Sequence, residues 1–358
     1  MDLPIKGRGA PSNRSSRFLR LATDRSPEFV DDAPADEAPP PRHPATRLHI
    51  DATRTIISRN DSPDVPFGQS INPYRGCEHG CVYCFARPSH AYLDHSPGLD
   101  FETQIYAKPD AARLLDAELR RPGYRPDTIH LGANTDPYQP LEREARITRQ
   151  ILEKLLEFGH PVTVLTKGAL IERDLDLLGA LAARGLARAA VSITTLDSGL
   201  KRTLEPRAAS PAARLRAVAA LVAAGVPTSV LVAPVIPAVN DHELEAILEA
   251  ARAAGARRAG WILLRLPREL RELMKEWLAA HRPLAAARVM SLVRGTRRGR
   301  ESDPRFHARM RGDGAYAELI ERRFAVTARR LGLEQGRQAP LDTSQFRVPA
   351  AGGQLALL

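Results

Sequence analysis

The sequence predicts an α/β protein built on a parallel sheet, and three observations carry the prediction. Between Ser70 and Ala279, apolar runs of strand length alternate six times with amphipathic stretches of helix length. The strand runs are apolar nearly throughout rather than at every second residue, as in a sheet covered on both faces. The alternation stops near Arg282, which leaves too few units for a closed eight-unit barrel. Right-handed crossovers would wind six such units in one sense, into either an incomplete barrel or an open, doubly wound sheet.

Taken in order, the chain first offers residues 1–65 as an extended, Pro- and Arg-rich arm. Within it, residues 31–42 (Asp-Asp-Ala-Pro-Ala-Asp-Glu-Ala-Pro-Pro-Pro-Arg) lack apolar periodicity and are expected to be disordered. The earlier run 6–17 is basic and flexible in composition, and Leu48-His-Ile-Asp begins to pack on the domain. A core domain spans 66–281. Ser70-Ile-Asn-Pro opens its first unit, whose helix is read at 111–119. Strands follow at 128–132, 162–166, 190–194, 228–233 and 260–264. Helices alternate with them at 147–156, 174–181, 212–224, 243–253 and 269–279. A basic, mainly helical extension occupies 282–337, and residues 338–358 read as a flexible tail.

A hydrophobic content of 43% and a charged content of 26% are those of a globular protein. No apolar run approaches the length of a membrane span, and the N-terminus lacks the apolar stretch of a signal peptide. With only three cysteines there is no disulfide framework, so a reduced, cytoplasmic setting is expected. The net charge of +10 is unevenly placed. The segment that begins at Arg282 and ends at Arg337 holds 14 arginines against six acidic residues, while 60–281 is balanced at 27 of each sign. Such a patch suits nucleic acid or another polyanion; a solvated Arg-rich face would have the same composition.

All three cysteines fall in Asn72-Pro-Tyr-Arg-Gly-Cys77-Glu-His-Gly-Cys81-Val-Tyr-Cys84-Phe, spaced C-x3-C-x2-C. Cysteine is often a small buried hydrophobe, but three within eight residues point to a shared centre. A [4Fe–4S] cubane normally takes four thiolates, so three would leave one iron open to a ligand. Zinc is the rival, because His79 would complete a Cys3His set in a nucleic-acid-binding protein with a structural metal. Zinc sites, however, usually pair two separated ligand pairs, and no second pair exists here.

The cysteine loop, with Tyr83 before its last cysteine, resembles the signature of the radical S-adenosylmethionine (radical SAM) enzymes. That resemblance implies a partial (β/α)6 TIM-like barrel and one [4Fe–4S] cluster held by Cys77, Cys81 and Cys84. It also implies that SAM is bound at the open iron and cleaved by one electron to methionine and a 5′-deoxyadenosyl radical. A donor such as flavodoxin or ferredoxin would supply the electron.

The strand endings narrow the likeness. Asn134-Thr-Asp-Pro-Tyr-Gln-Pro, Thr166-Lys, Ser192-Ile-Thr-Thr, Leu204-Glu-Pro-Arg and Pro234-Val-Ile-Pro with Asn240-Asp are similar to those of the spore photoproduct lyase-like group. The resemblance puts Thr135, Asp136, Lys167 and Ser192 near SAM, with Lys167 pairing its carboxylate. Tyr83 would line the adenine pocket and the Val235-Ile236 backbone would meet the adenine edge. Glu205 and Arg207 could equally form an ion pair at a helix start. The hydrogen-donor cysteine of the best-known lyases falls at Ala133 here, and Tyr138 is not marked out as its replacement. The chain therefore reads as a branch with its own, unassigned substrate, for which nucleic acid is one class.

Overall fold

The computed structural model describes residue 5, residues 7–18 and residues 45–350; the acidic, Pro-rich run 31–42 and residues 351–358 lie outside it. Six parallel strands form the core: β1 (Gln69–Ile71), β2 (Ile129–Leu131), β3 (Val162–Thr166), β4 (Ala187–Ser192), β5 (Thr228–Val235) and β6 (Arg258–Leu263). They lie side by side in chain order, as right-handed βα crossovers dictate. Ile71 faces Leu131, Leu131 faces Val164, and Val164 faces Ala189, so buried apolar residues run across the sheet in register. β1 and β6 are the ends of this row and do not pair, which makes the barrel partial.

The helices follow from sequence periodicity. Helix α1 (Ala111–Leu119) has the predicted bounds, and α2 (Ile147–Glu157) buries Ile147, Ile151, Leu152 and Leu155 along one face. Then come α3 (Leu175–Ala183), α4 (Pro211–Ala223), α5 (Leu244–Ala253) and α6 (Leu270–His281). Helix α4 starts sharply because Ser210 Oγ accepts the Ala213 N–H and Pro211 has no N–H to satisfy. No helix among the described residues is long and apolar enough to cross a membrane.

Three parts differ from the sequence expectation. The described end of the arm is integral to the fold: Ile56 is buried in the main core, Arg47–Ile50 is a strand, and Ser58–Arg59 pairs antiparallel with β1. Arg47–Ile50 joins Gln104–Ala107 and Tyr74–Arg75 in a small second sheet under the cysteine loop. The tail after Gln338 is packed as far as it is described: Phe346 lies against Phe158 and Tyr124, and the Arg347 N–H bonds the Phe158 carbonyl. The basic extension forms α7 (Ala286–Gly295) and α8 (Ala315–Arg330), and much of its charge is matched. Arg323 pairs with Glu245 and Arg330 with Glu249, both across to α5, while Arg305 pairs with Asp303 and Asp313.

Candidate metal centre and adjoining cavity

The cysteine loop leaves β1 and is pinned along its length by backbone bonds. Cys77 N–H donates to the Phe101 carbonyl at 2.9 Å and Val82 N–H to the Leu204 carbonyl at 3.0 Å. Gly80 has φ +67°, and a Cβ there would fall 2.7 Å from the Glu102 carboxylate, so position 80 of the loop calls for glycine. Arg87 is fully buried, pairs with the equally buried Glu102, and donates Nε to the Cys81 carbonyl at 2.8 Å. Residues 7–18 lie over this assembly. The Gly9 and Ala10 N–H groups donate to Glu102 at 3.0 and 2.8 Å, and a Cβ on Gly9 would sit 1.7 Å from the Gly80 carbonyl oxygen.

Cys77 and Cys81 are buried, Cys84 is half-buried, and all three line one cavity of about 530 Å³ at the C-terminal ends of the strands. Burial pushes all three thiols up, so without a cation beside them they stay protonated. Three free thiols lining one cavity are the donor set of an iron–sulfur cluster and fit it. They fit zinc poorly. His79, the fourth ligand that reading needs, turns Nδ1 to Asp136 at 3.3 Å. Among the described residues no three His, Cys, Asp or Glu side chains converge as ligands of a single ion, whereas cubane thiolates bind separate irons.

The strand endings meet at the same cavity. Lys167, after β3, is half-buried, donates Nζ to Ser192 Oγ at 3.0 Å, and stands 5.8 Å above the Tyr83 ring. Ser192, at the end of β4, donates in turn to the Ala233 carbonyl. The Tyr83 hydroxyl contacts Thr194 Oγ1 at 3.1 Å and donates to Glu205. Glu205 pairs with Arg214 of α4 rather than with Arg207, which reaches Glu78.

Asp136 is saturated: it accepts from Thr166 Oγ1 at 2.5 Å, Lys167 N–H at 2.7 Å and Tyr138 N–H at 2.9 Å. Burial alone would raise its pKa, but His79 and the hydrogen bonds hold it down at about 2. Thr135 Oγ1 is likewise committed, to the Tyr74 carbonyl. Both line the cavity but are occupied in fixing the loop after β2.

Ile236 is a correction. It is fully buried, its N–H is taken by Asn240 Oδ1 at 2.6 Å, and the cavity is walled instead by Ala233 and Pro234. Asn240 also donates to the Thr194 and Pro234 carbonyls, so the Asn-Asp motif buttresses the β5 ending from behind. Ala133 lines the cavity; Tyr138 is buried and does not.

Sequence reasoning missed the outer wall. Phe85, Arg265, Arg309 and Met310 line it, with Phe67 stacked on His130 at 4.3 Å. Here two distant segments clasp the open side of the barrel: Asp64 accepts from Arg309 Nε and from the His307 N–H, and Ser62 Oγ from Arg309 Nη2 at 2.5 Å. The one available signal was the lone Arg265 interrupting an apolar run after the sixth strand.

A partial barrel of parallel strands that gathers three cysteines and a lysine at its strand ends has the design of a radical SAM core. The radical SAM superfamily model matches residues 71–251, and the chain belongs to that superfamily and is a radical SAM enzyme. An uncharacterized protein of Mycobacterium tuberculosis is 38% identical over 288 residues, covering 80% of this chain and 81% of its own. An uncharacterized protein of Methanocaldococcus jannaschii is 26% identical over 173 residues, 48% of this chain and 62% of its own. The fold is shared with spore photoproduct lyase: the structure of that enzyme complexed with dinucleoside spore photoproduct aligns with a TM-score of 0.58 at 15% identity, covering 80% of each chain. Membership implies a [4Fe–4S] cluster and SAM as cofactors and a reductant as electron donor.

Proposed function

We propose that Cys77, Cys81 and Cys84 hold a single [4Fe–4S] cluster, and that SAM occupies the cavity beside it to act on a substrate admitted at the clasped mouth. The observation that carries this reading is that the chain's three thiols line the same cavity as Lys167. When bound, cluster and SAM together supply reductive cleavage to a 5′-deoxyadenosyl radical, which abstracts hydrogen from the substrate.

This chain's residues bind and orient. Lys167 offers a charged donor to the SAM carboxylate, with its present acceptor, the Ser192 hydroxyl, as a neutral placeholder. Tyr83, fixed by Thr194 and Glu205, presents its ring beside that site. Thr135 and Asp136 act one step back, by fixing the backbone from which Lys167 projects. Flavodoxin or ferredoxin in the reducing cytoplasm is the class of electron donor such a centre takes.

Nucleic acid bound along the segment from Arg282 to Arg337 is not carried into this reading. Arg297 is buried, donating to the Leu264 and Ala308 carbonyls, and Arg298, Arg305, Arg309, Arg323 and Arg330 are ion-paired. The test is anaerobic reconstitution followed by an assay for 5′-deoxyadenosine with a chemical reductant. A colourless protein carrying one zinc per chain after reconstitution would overturn the proposal.

A further inference from the structure

We infer that Arg265 recognises an oxyanion, a carboxylate or a phosphate, carried by the substrate at the mouth of the cavity. The inference rests on the reading of this cavity as the SAM and substrate site. Arg265 stands just past β6, at the level where barrel strands deliver their functional residues.

The other buried arginines among the described residues are matched. Arg87 has Glu102 and three carbonyls, Arg214 has Glu205 and the Ser192 carbonyl, and Arg297 has two carbonyls. Arg265 is half-buried and lines the cavity, yet its hydrogen-bond acceptor among the described residues is the Met310 sulfur at 3.5 Å. A thioether is a weak acceptor for a group with five N–H donors. The guanidinium otherwise lies 5.3 Å from the centroid of the Phe85 ring, next to Cys84.

Its surroundings disfavour the charge rather than match it. Burial disfavours the charge on Arg265, and the neighbouring Arg309 disfavours it further; Asp64 opposes them, but its carboxylate is bonded to Arg309. A partly desolvated cation with no carboxylate of its own is costly unless a ligand brings one. SAM has a single carboxylate, and Lys167, at the end of β3, is already placed for it. Arg265 projects from the end of β6, three strands further along the sheet, and is left for the substrate. Phe85, 45% exposed though it adjoins a cluster cysteine, offers an aromatic face beside the same point. An aryl or otherwise flat anion suits the pair.

The test uses the reconstituted, SAM-loaded protein under anaerobic conditions and three small probes: benzoate, phenyl phosphate and the neutral benzamide. Ligand-detected NMR titration of the wild type should show at least one anion binding roughly ten-fold or more tightly than benzamide, the scale of one charge-assisted contact. Which of benzoate and phenyl phosphate binds more tightly separates the two oxyanion sources. Arg265→Gln should erase the preference and Arg265→Lys should restore part of it, with SAM affinity at the wild-type value in both. Equal binding of benzamide and the anions, or no binding of either anion, overturns the inference. So does a preference that survives in a folded Arg265→Gln protein. A fall in SAM affinity in that variant would assign Arg265 to SAM instead. Wild-type protein that assembles its cluster but does not bind SAM would sink the reading of the cavity itself, and is recognised before any probe is added.

Discussion

The pair Arg87–Glu102 makes the most direct claim on how the metal centre is held. Both side chains are fully buried. The carboxylate accepts from the Arg87 guanidinium and from the Gly9 and Ala10 N–H groups, while Arg87 also donates to the Cys81, Pro97 and Gly98 carbonyls. The ion pair is therefore the joint between the N-terminal segment and the cysteine loop. Glu102→Gln removes the charge, and whichever way the amide turns, its NH2 end meets an N–H donor. Removing one partner of a buried pair costs about 3–5 kcal/mol, a large part of a total stability of about 5–15 kcal/mol.

Urea unfolding of the anaerobic holoprotein should show a loss of that size, together with faster iron release and tryptic cleavage at Arg8, Arg14 and Arg17. Replacing both partners, Arg87→Met with Glu102→Leu, removes the buried charge but strands the Gly9 and Ala10 N–H groups, so the N-terminal segment should be released to trypsin there as well. If Glu102→Gln unfolds within about 1 kcal/mol of the wild type, a threshold well under the expected pair cost, and the segment stays protected, the joint is not where we place it.

Alanine at Cys77, Cys81 or Cys84 should abolish the sulfur-to-iron absorption of the reconstituted protein; a full iron complement in any of the three would contradict the ligand set. Lys167→Ala should leave the cluster intact and weaken SAM binding by about 1.5–3 kcal/mol, or roughly ten- to a hundred-fold, by calorimetric titration; unchanged affinity would make Lys167 a bystander. Burial holds His90 and His160 at a pKa of about 4, below their ordinary 6.5. These histidines stay neutral in the fold while the unfolded chain takes up protons below 6.5, so the stability they contribute is complete above that pH and falls as the pH drops toward 4. With both differing, the slope reaches about 3 kcal/mol per pH unit. Stability that stays flat from pH 6.5 to 4.5 would show that these two rings are not shut away from water.

The barrel was legible because its signals are local. Short apolar runs and i, i+4 repeats located β2 to β6 and the six helices, and α1 fell on its predicted bounds, whereas β1 was marked only by Ser70-Ile-Asn-Pro. Strand β4 begins earlier than its apolar run suggests, at Ala187, because pairing with Val162 of β3 draws Ala-Arg-Ala into the sheet against their weak strand propensity. The small sheet under the cysteine loop was invisible for the complementary reason: its strands are two to four residues long, and only their pairing defines them. That the three cysteines come together at one cavity was readable from their spacing. Ile236 was not, since whether a backbone N–H is free for a ligand depends on Asn240, whose side chain takes it.

Charge was the property that composition misjudged, and the reason bears on function. The segment from Arg282 to Arg337 looked basic and the barrel neutral because each was counted separately. In the fold the barrel lends its carboxylates to the extension: Glu245 and Glu249, one turn apart on α5, take Arg323 and Arg330 of α8, and Asp64 takes Arg309. Those pairs tie the extension to the barrel and match part of its positive charge. What remains informative is a cation kept from water and still without a carboxylate. Along the cavity wall Arg309 has Asp64 and Arg59 is exposed and solvated, but among the described residues the hydrogen-bond acceptors of half-buried Lys167 and Arg265 are a hydroxyl and a thioether. On the reading proposed above, the matched charges build the site and these two are left to hold what enters it: Lys167 beside the cysteines for SAM, Arg265 at the clasped mouth for the substrate.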